Sequence, residues 1–201
     1  MMPTRSAPYS RNRERMPKAL LIIDVQNAIL FGKATPERQS QVDSALDETV
    51  ARLASLQEKA RQAGTPVVLV QHDGPSGHRL AVGTPGWELR QEIAPRQGEI
   101  VVRKQSADSF FETDLAERLN EREVTHLVVG GCMSQFCVDT TVRRAVSLGY
   151  DVTLVADGHT TGDTATLTFS EIVDHHNETL DGFDAGKAAV EIRPAADIAF
   201  S

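Results

Sequence analysis

Short apolar runs that alternate with helical patterns constrain the fold of this chain most. The run at 18–25 is almost continuously apolar, which is typical of a strand buried on both faces of a sheet. Further strands are predicted at 67–71, 100–103, 124–129, 152–156 and 189–192, and helices at 36–63, 114–120, 135–148 and 168–180. This alternation predicts an α/β three-layer sandwich, in which a parallel sheet of about six strands has helices on both faces in a Rossmann-like topology.

Length, charge and cysteine content limit the class of protein. The 201 residues suffice for one ordinary domain, which we place at 18–201 after a flexible basic leader at 1–17 that carries four arginines. A net charge of −7 argues against nucleic acid as a partner, and the apolar runs are too short to span a membrane. Two cysteines only five positions apart form no disulfide framework, which favours a reducing, cytoplasmic location.

Cys137 lies in a segment that offers both a nucleophile and an oxyanion site. The segment runs from a predicted strand through Gly130 and Gly131, which we expect to end that strand, to a helix that starts near Gln135. The helix dipole favours a thiolate at this place, and the free N–H groups of a helix start can bind an oxyanion. On this segment alone, an inert buried thiol is an equally good interpretation.

Two further reactive side chains stand at the ends of other predicted strands. Asp24 ends the first apolar run, and Lys104 follows the β-branched run at 100–103. Ligands bind at the carboxyl edge of open parallel sheets, so these residues and Cys137 are expected to lie near one another. A carboxylate there can take a proton from a thiol, and a lysine can hold both groups as anions. Alone, each is also compatible with an ordinary loop-capping or solvated side chain.

At this point the chain resembles the isochorismatase-like cysteine hydrolases. The matching pieces are 21–27, 83–89, Lys104 with Ser109-Phe110, 131–141, 148–152 and 176–180, in family order over about 18–193. The resemblance implies a catalytic triad of Asp24, Lys104 and Cys137. It also implies a cis peptide between Cys132 and Met133, with the Met133 and Cys137 amides forming an oxyanion hole.

The function implied by the resemblance is hydrolysis of a small-molecule amide or related C–N bond through a thioester, without a metal or other cofactor. Isochorismatases proper do not use a cysteine nucleophile, so Cys137 favours amide chemistry. We expect Gln26, Phe31, His72, Trp87 and Phe110 to line the substrate pocket. The identity of the amide stays open.

Two alternatives follow from the same residues. Metal-dependent nicotinamidase-type relatives use an Asp and two His in the corresponding loop, but here His72-Asp73 and His78 lack the Asp-x-His order, so no metal site is expected. A non-catalytic binding protein that keeps the fold is the second alternative, against which the complete triad counts. A dinucleotide-binding enzyme is disfavoured because G-x-G-x-x-G is missing.

The segment 160–169 gives a hint of assembly. It has no strong periodicity, contains five threonines, and carries Leu167 and Phe169 beside the predicted site edge. An apolar segment there can pack on a second subunit, so we expect a homodimer or homotetramer whose interface uses the helix starting near Thr168. The same two side chains can instead begin the last helix and face its own core.

Overall fold

The protein is described by a computed structural model over residues 17–200, and the rest of the predicted basic leader lies outside this range. The strands are β1 Lys18–Ile23, β2 Val67–His72, β3 Ile100–Lys104, β4 His126–Cys132, β5 Asp151–Thr160, β6 Asp184–Ala185 and β7 Ala188–Arg193. The helices are α1 Pro36–Gln62, α2 Leu115–Asn120, α3 Asp139–Ser147 and α4 Phe169–Leu180.

The strands form one seven-stranded sheet in the order β3-β2-β1-β4-β5-β7-β6. The neighbours are parallel except for β6 and β7, which pair antiparallel. The predicted α/β architecture is therefore confirmed, with one strand more than expected. The extra strand, β6, is only two residues long, too short to leave a periodic signal in the sequence.

The sheet is covered on both faces, as the continuous apolar runs predict. Successive residues of β1 enter two different cores: Leu21 and Ile23 pack in the cluster under α2 and α3, whereas Leu20 and Ile22 pack in the cluster under α1. Because side chains alternate along a strand, a run that is apolar at every position has to bury both faces. In the range 17–200, no helix is long and apolar enough to cross a membrane.

The glycines at the end of β4 do not end the strand, contrary to our expectation. Strand β4 continues through both to Cys132. A Cβ on Gly130 would lie 2.6 Å from the carbonyl oxygen of Gly158, and one on Gly131 would lie 2.1 Å from that of Ile23. The register with β5 also shifts here. The glycines therefore allow close approach of neighbouring strands, and β4 continues as far as Cys132, beside the turn that carries Cys137.

Candidate active site

Asp24 leaves β1 in a backbone conformation that is unusual for a side-chain-bearing residue. Its φ is 52°, in the left-handed region that aspartate tolerates better than most residues, and its amide donates to the Val70 carbonyl at 2.9 Å. The residue is fully buried. Oδ2 accepts a hydrogen bond from Lys104 Nζ at 2.6 Å, whereas Oδ1 has no partner within the described residues. One carboxylate oxygen is thus held and the other is left to accept a proton.

Lys104 reaches this carboxylate from the far side of β2. Strands β3 and β1 are two positions apart in the sheet, roughly 9–10 Å between strand axes, which the long lysine stem can span. The side chain is completely buried, and Nζ also donates to the Ser106 carbonyl at 2.9 Å. The ammonium is therefore fixed by a carboxylate and a backbone dipole.

Cys137 lies in a π-helical turn, Ser134–Val138, that follows the cis peptide between Cys132 and Met133 and leads directly into α3. The Met133 carbonyl accepts from the Phe136 amide at 3.0 Å and from the Val138 amide at 3.3 Å, which closes the turn around the thiol. Cys137 is partly buried, and its thiol interacts with both Asp24 and Lys104. The structure thus brings together three side chains that the sequence places 80 and 33 positions apart.

The electrostatics of the three groups correct our expectation of a resting thiolate. Burial raises the pKa of Cys137 to about 12; the neighbouring Asp24 carboxylate adds to this and the Lys104 ammonium opposes it. Burial also raises the pKa of Asp24, against the lowering effect of Lys104. For Lys104, burial alone would lower the pKa, but Asp24 and Cys137 outweigh it and the pKa is raised. At neutral pH the thiol is therefore protonated and the lysine charged.

A buried hydrogen-bonded row that the sequence analysis missed supports the turn. Ser134 and His159 are both buried; Ser134 Oγ lies 2.8 Å from His159 Nδ1, and His159 Nε2 lies 2.9 Å from Asn177 Oδ1. Asn177 uses its amide nitrogen on the Ala156 carbonyl, so its oxygen accepts from Nε2–H and the serine hydroxyl donates to Nδ1. Burial lowers the pKa of His159 to about 4, which keeps the ring neutral in this tautomer.

A second buried contact joins the segment that follows Lys104 to helix α3. Ser109 Oγ and Thr141 Oγ1 are 2.8 Å apart, and the Ser109 amide donates to the same Thr141 oxygen at 3.1 Å. Because the two residues are 32 positions apart, no local pattern in the sequence indicates this contact. It fixes the segment after Lys104 against the first turn of α3, and so against Cys137.

The five predicted pocket residues have different positions in the structure. Gln26 is fully buried, and its amide nitrogen donates to the His72 and Trp87 carbonyls at 3.0 and 2.7 Å, so it holds the loop after β2 instead of facing substrate. Phe110 stacks on a core tyrosine and is also a packing residue. His72 and Trp87 are partly buried beside the site, and Phe31 is 76% exposed. We therefore keep His72 and Trp87 as candidate wall residues.

The loop residues weighed as metal ligands are engaged in other contacts. Asp73 accepts from Arg103 Nε at 2.6 Å and from Trp87 Nε1 at 2.9 Å. His78 Nδ1 accepts from the Leu80 amide at 3.2 Å. Across residues 17–200, no group of three or more His, Cys, Asp or Glu side chains is arranged to hold a metal ion.

Comparison with known proteins identifies the family of this chain. The family model described as the isochorismatase domain matches residues 18–180. The chain belongs to the isochorismatase family. Its fold is also that of a crystal structure of an isochorismatase from Pseudomonas putida KT2440, with a TM-score of 0.79, 33% identity and 90% of each chain covered.

Among curated relatives of this isochorismatase-family chain, a streptothricin hydrolase from Streptomyces noursei is 42% identical over 147 residues, which is 73% of this chain and 50% of the relative. A ureidoacrylate amidohydrolase from Variovorax paradoxus is 28% identical over 186 residues, covering 78% of this chain and 73% of the relative. The chain spans between half and two thirds of the length of the two streptothricin hydrolases it matches.

Proposed function

We propose that the protein hydrolyses a small-molecule amide or related C–N bond through a thioester on Cys137. The observation that carries the proposal is the buried Asp24–Lys104 pair, joined at 2.6 Å, with the thiol interacting with both charges. Burying two opposite charges is costly, so a fold that keeps them beside a cysteine suggests a chemical use. Relatives named as hydrolases of streptothricin and ureidoacrylate support the same class of reaction.

The first half-reaction forms the thioester. As Cys137 Sγ attacks the carbonyl carbon, its proton passes to Asp24, whose Oδ1 has no other partner within residues 17–200. The carbonyl oxygen becomes an oxyanion, which we place against the backbone amides of Met133 and Cys137. When the C–N bond breaks, Asp24 returns the proton to the departing nitrogen.

The second half-reaction uses the same carboxylate as a base. Asp24 takes a proton from water, the hydroxyl attacks the thioester carbonyl, and the C–S bond breaks. The sulfur regains the proton from Asp24, which leaves a carboxylic acid product and the free enzyme. Lys104 remains positively charged throughout and stabilises both the carboxylate and the developing thiolate. A thiol that is protonated at rest is compatible with this scheme, because deprotonation and attack are coupled.

An amide panel with ammonia detection tests the proposal, with Cys137→Ala and Cys132→Ala as a matched pair of thiol deletions. Cys137→Ala is expected to keep the fold, checked by circular dichroism, and to lose turnover. Cys132→Ala removes a thiol five positions away and should retain measurable activity. Full activity of Cys137→Ala would contradict the mechanism. A folded wild-type protein that hydrolyses no member of the panel would favour the alternative of a binding protein that keeps the fold.

A further inference from the structure

We infer that Arg79 binds an anionic group on the substrate, so that the enzyme acts on amides that also carry a carboxylate. The inference rests on the proposed function and specifies its substrate class. Arg79 lies in the long loop after β2, is partly buried, and would interact favourably with Cys137 when the thiol is ionised. Its Nε donates to the Ile29 carbonyl at 3.2 Å, which fixes the guanidinium and leaves its terminal nitrogens for other partners.

Arg79 belongs to a basic cluster, which we define as Lys33, His72, His78 and Arg79. All four side chains are partly buried. The rings of His72 and His78 are 6.2 Å apart, and Lys33 and His78 both interact with Arg79. Among residues 17–200, neither Arg79 nor Lys33 forms an ion pair with an acidic side chain. Such a grouping is unexpected in a chain with a net charge of −7.

The other arginines near this region are neutralised. Arg38 pairs with Asp163 and donates to its second oxygen at 3.2 Å, and Arg103 pairs with Asp73 at 2.6 Å. Arg79, in contrast, is permanently charged and has no acidic side chain paired with it within residues 17–200, so it can bind an anion. Burial and the Arg79 charge lower the pKa of Lys33, and burial followed by Arg79 and Lys33 lowers that of His78. Burial is the larger cause of both shifts, and repulsion by the neighbouring positive charges adds to it.

The contact between His78 and Arg79 also indicates a place for an anion. Because His78 Nδ1 accepts from the Leu80 amide, the proton of the neutral ring lies on Nε2. That Nε2 is 3.4 Å from Arg79 Nη1, and with the proton on Nε2 both nitrogens are donors that do not bond to each other. A Cβ on Gly74 would come 2.4 Å from His78 Nδ1, so glycine there permits this placement of the ring.

A carboxylate oxygen between these two donors would satisfy both of them. In addition, His72 Nδ1 is buried with no partner within the described range, so the cluster holds a third polar atom without a partner. The cluster and the thiol therefore divide the substrate between them. The amide carbonyl lies at Cys137, and a carboxylate some atoms away lies at Arg79.

Binding is tested in the Cys137→Ala background, which prevents turnover. Isothermal titration calorimetry compares malonamate, succinamate and glutaramate with the neutral diamides of the same chain length. For at least one length the monoacid should bind more tightly than its diamide. Arg79→Met, which keeps the length and removes the charge, should weaken that monoacid about 10- to 100-fold and leave the diamide unchanged. Arg96→Met changes an exposed arginine that pairs with Glu58 and serves as the control.

Three binding results would overturn the inference: equal binding of monoacids and diamides at every length, an equal loss of both in Arg79→Met, or tighter binding of inorganic phosphate than of any monoacid. If neutral amides are hydrolysed without preference for acidic ones, the proposed function survives and the anion site fails. If a monoacid binds through Arg79 but no amide is hydrolysed, the anion site survives and the proposed function fails. If Arg79→Met lowers kcat equally on neutral and acidic amides, Arg79 acts on the Cys137 thiol and not on a substrate carboxylate, which would contradict the inference.

Discussion

Replacing Lys104 with methionine should destabilise the fold strongly, because it leaves the Asp24 carboxylate buried without its counterion. Both side chains of the pair are almost completely inaccessible, at 0% and 1% exposure, and the two charged atoms are 2.6 Å apart. Breaking a buried pair by removing one partner costs about 3–5 kcal/mol. For a chain of this size, each kcal/mol moves the midpoint of thermal unfolding by about 2–4 °C, so we expect a fall of about 6–20 °C at pH 8.

The penalty should depend on pH in a definite direction. Burial already raises the pKa of Asp24, and loss of the ammonium raises it further. A carboxyl whose pKa is higher in the folded than in the unfolded state destabilises the fold increasingly as pH rises from the unfolded pKa of about 3.9 through the folded pKa. The difference in the free energy of unfolding between Lys104→Met and wild type should therefore be smaller at pH 5 than at pH 8.

Denaturant unfolding at both pH values measures this, with Lys187→Met as the control at an exposed lysine in the turn between β6 and β7. The double variant Asp24→Asn/Lys104→Met removes both charges, and asparagine tolerates the left-handed backbone at this position, so it should recover much of the lost stability. Surface substitutions change the free energy of unfolding within a range of about 1 kcal/mol. If Lys104→Met lies within about 1 kcal/mol of wild type at pH 8, the reasoning is refuted. A double variant less stable than Lys104→Met would refute it as well.

Four other predictions concern the site and the assembly. Asp24→Asn should lower kcat by about 10²–10⁴. In the wild type, the acid limb of the pH–rate profile should lie above the ordinary aspartate pKa, and a limb at or below it would contradict the raised pKa of Asp24. Alkylation of Cys137 by iodoacetamide should be slow below pH 8 and rise about tenfold per pH unit up to pH 10, and rapid labelling at pH 7 would show that the thiolate is present at rest. Dialysis against a strong chelator should leave turnover unchanged, and a loss restored by zinc would show that the loop after β2 binds a metal. Light scattering should give the mass of a dimer or tetramer, with Leu167, 43% exposed, in the interface, and a mass near the 21.9 kDa of one chain would exclude it.

The sequence was sufficient to predict the layers of the fold because the strands β1, β2 and β4, in the middle of the sheet, are mostly apolar. The alternation of strands with helices then led to a parallel sheet, whose carboxyl edge is where Asp24, Lys104 and Cys137 were expected and where the structure has them. The family resemblance supplied the cis peptide, which no pattern of residue types encodes.

Other features were beyond reach because they depend on contacts across the fold. The protonated state of Cys137 follows from its burial beside Asp24, which a local argument from a helix start does not include. The row from Ser134 through His159 to Asn177 joins three segments with no shared motif. Gln26 was expected to line the pocket, but its side chain is used by backbone groups of the neighbouring loop.

The central claim is that Cys137 carries the acyl group during turnover, and intact-protein mass spectrometry tests it most directly. The protein is mixed with the amide that the panel identifies as substrate and quenched in acid within the first turnover. We predict a mass increase equal to the acyl group, mapped to the peptide that contains Cys137 and lost on treatment with neutral hydroxylamine. The increase should be absent in Cys137→Ala. Turnover without any adduct in the first turnover, or an adduct on another residue that persists in Cys137→Ala, would contradict the account.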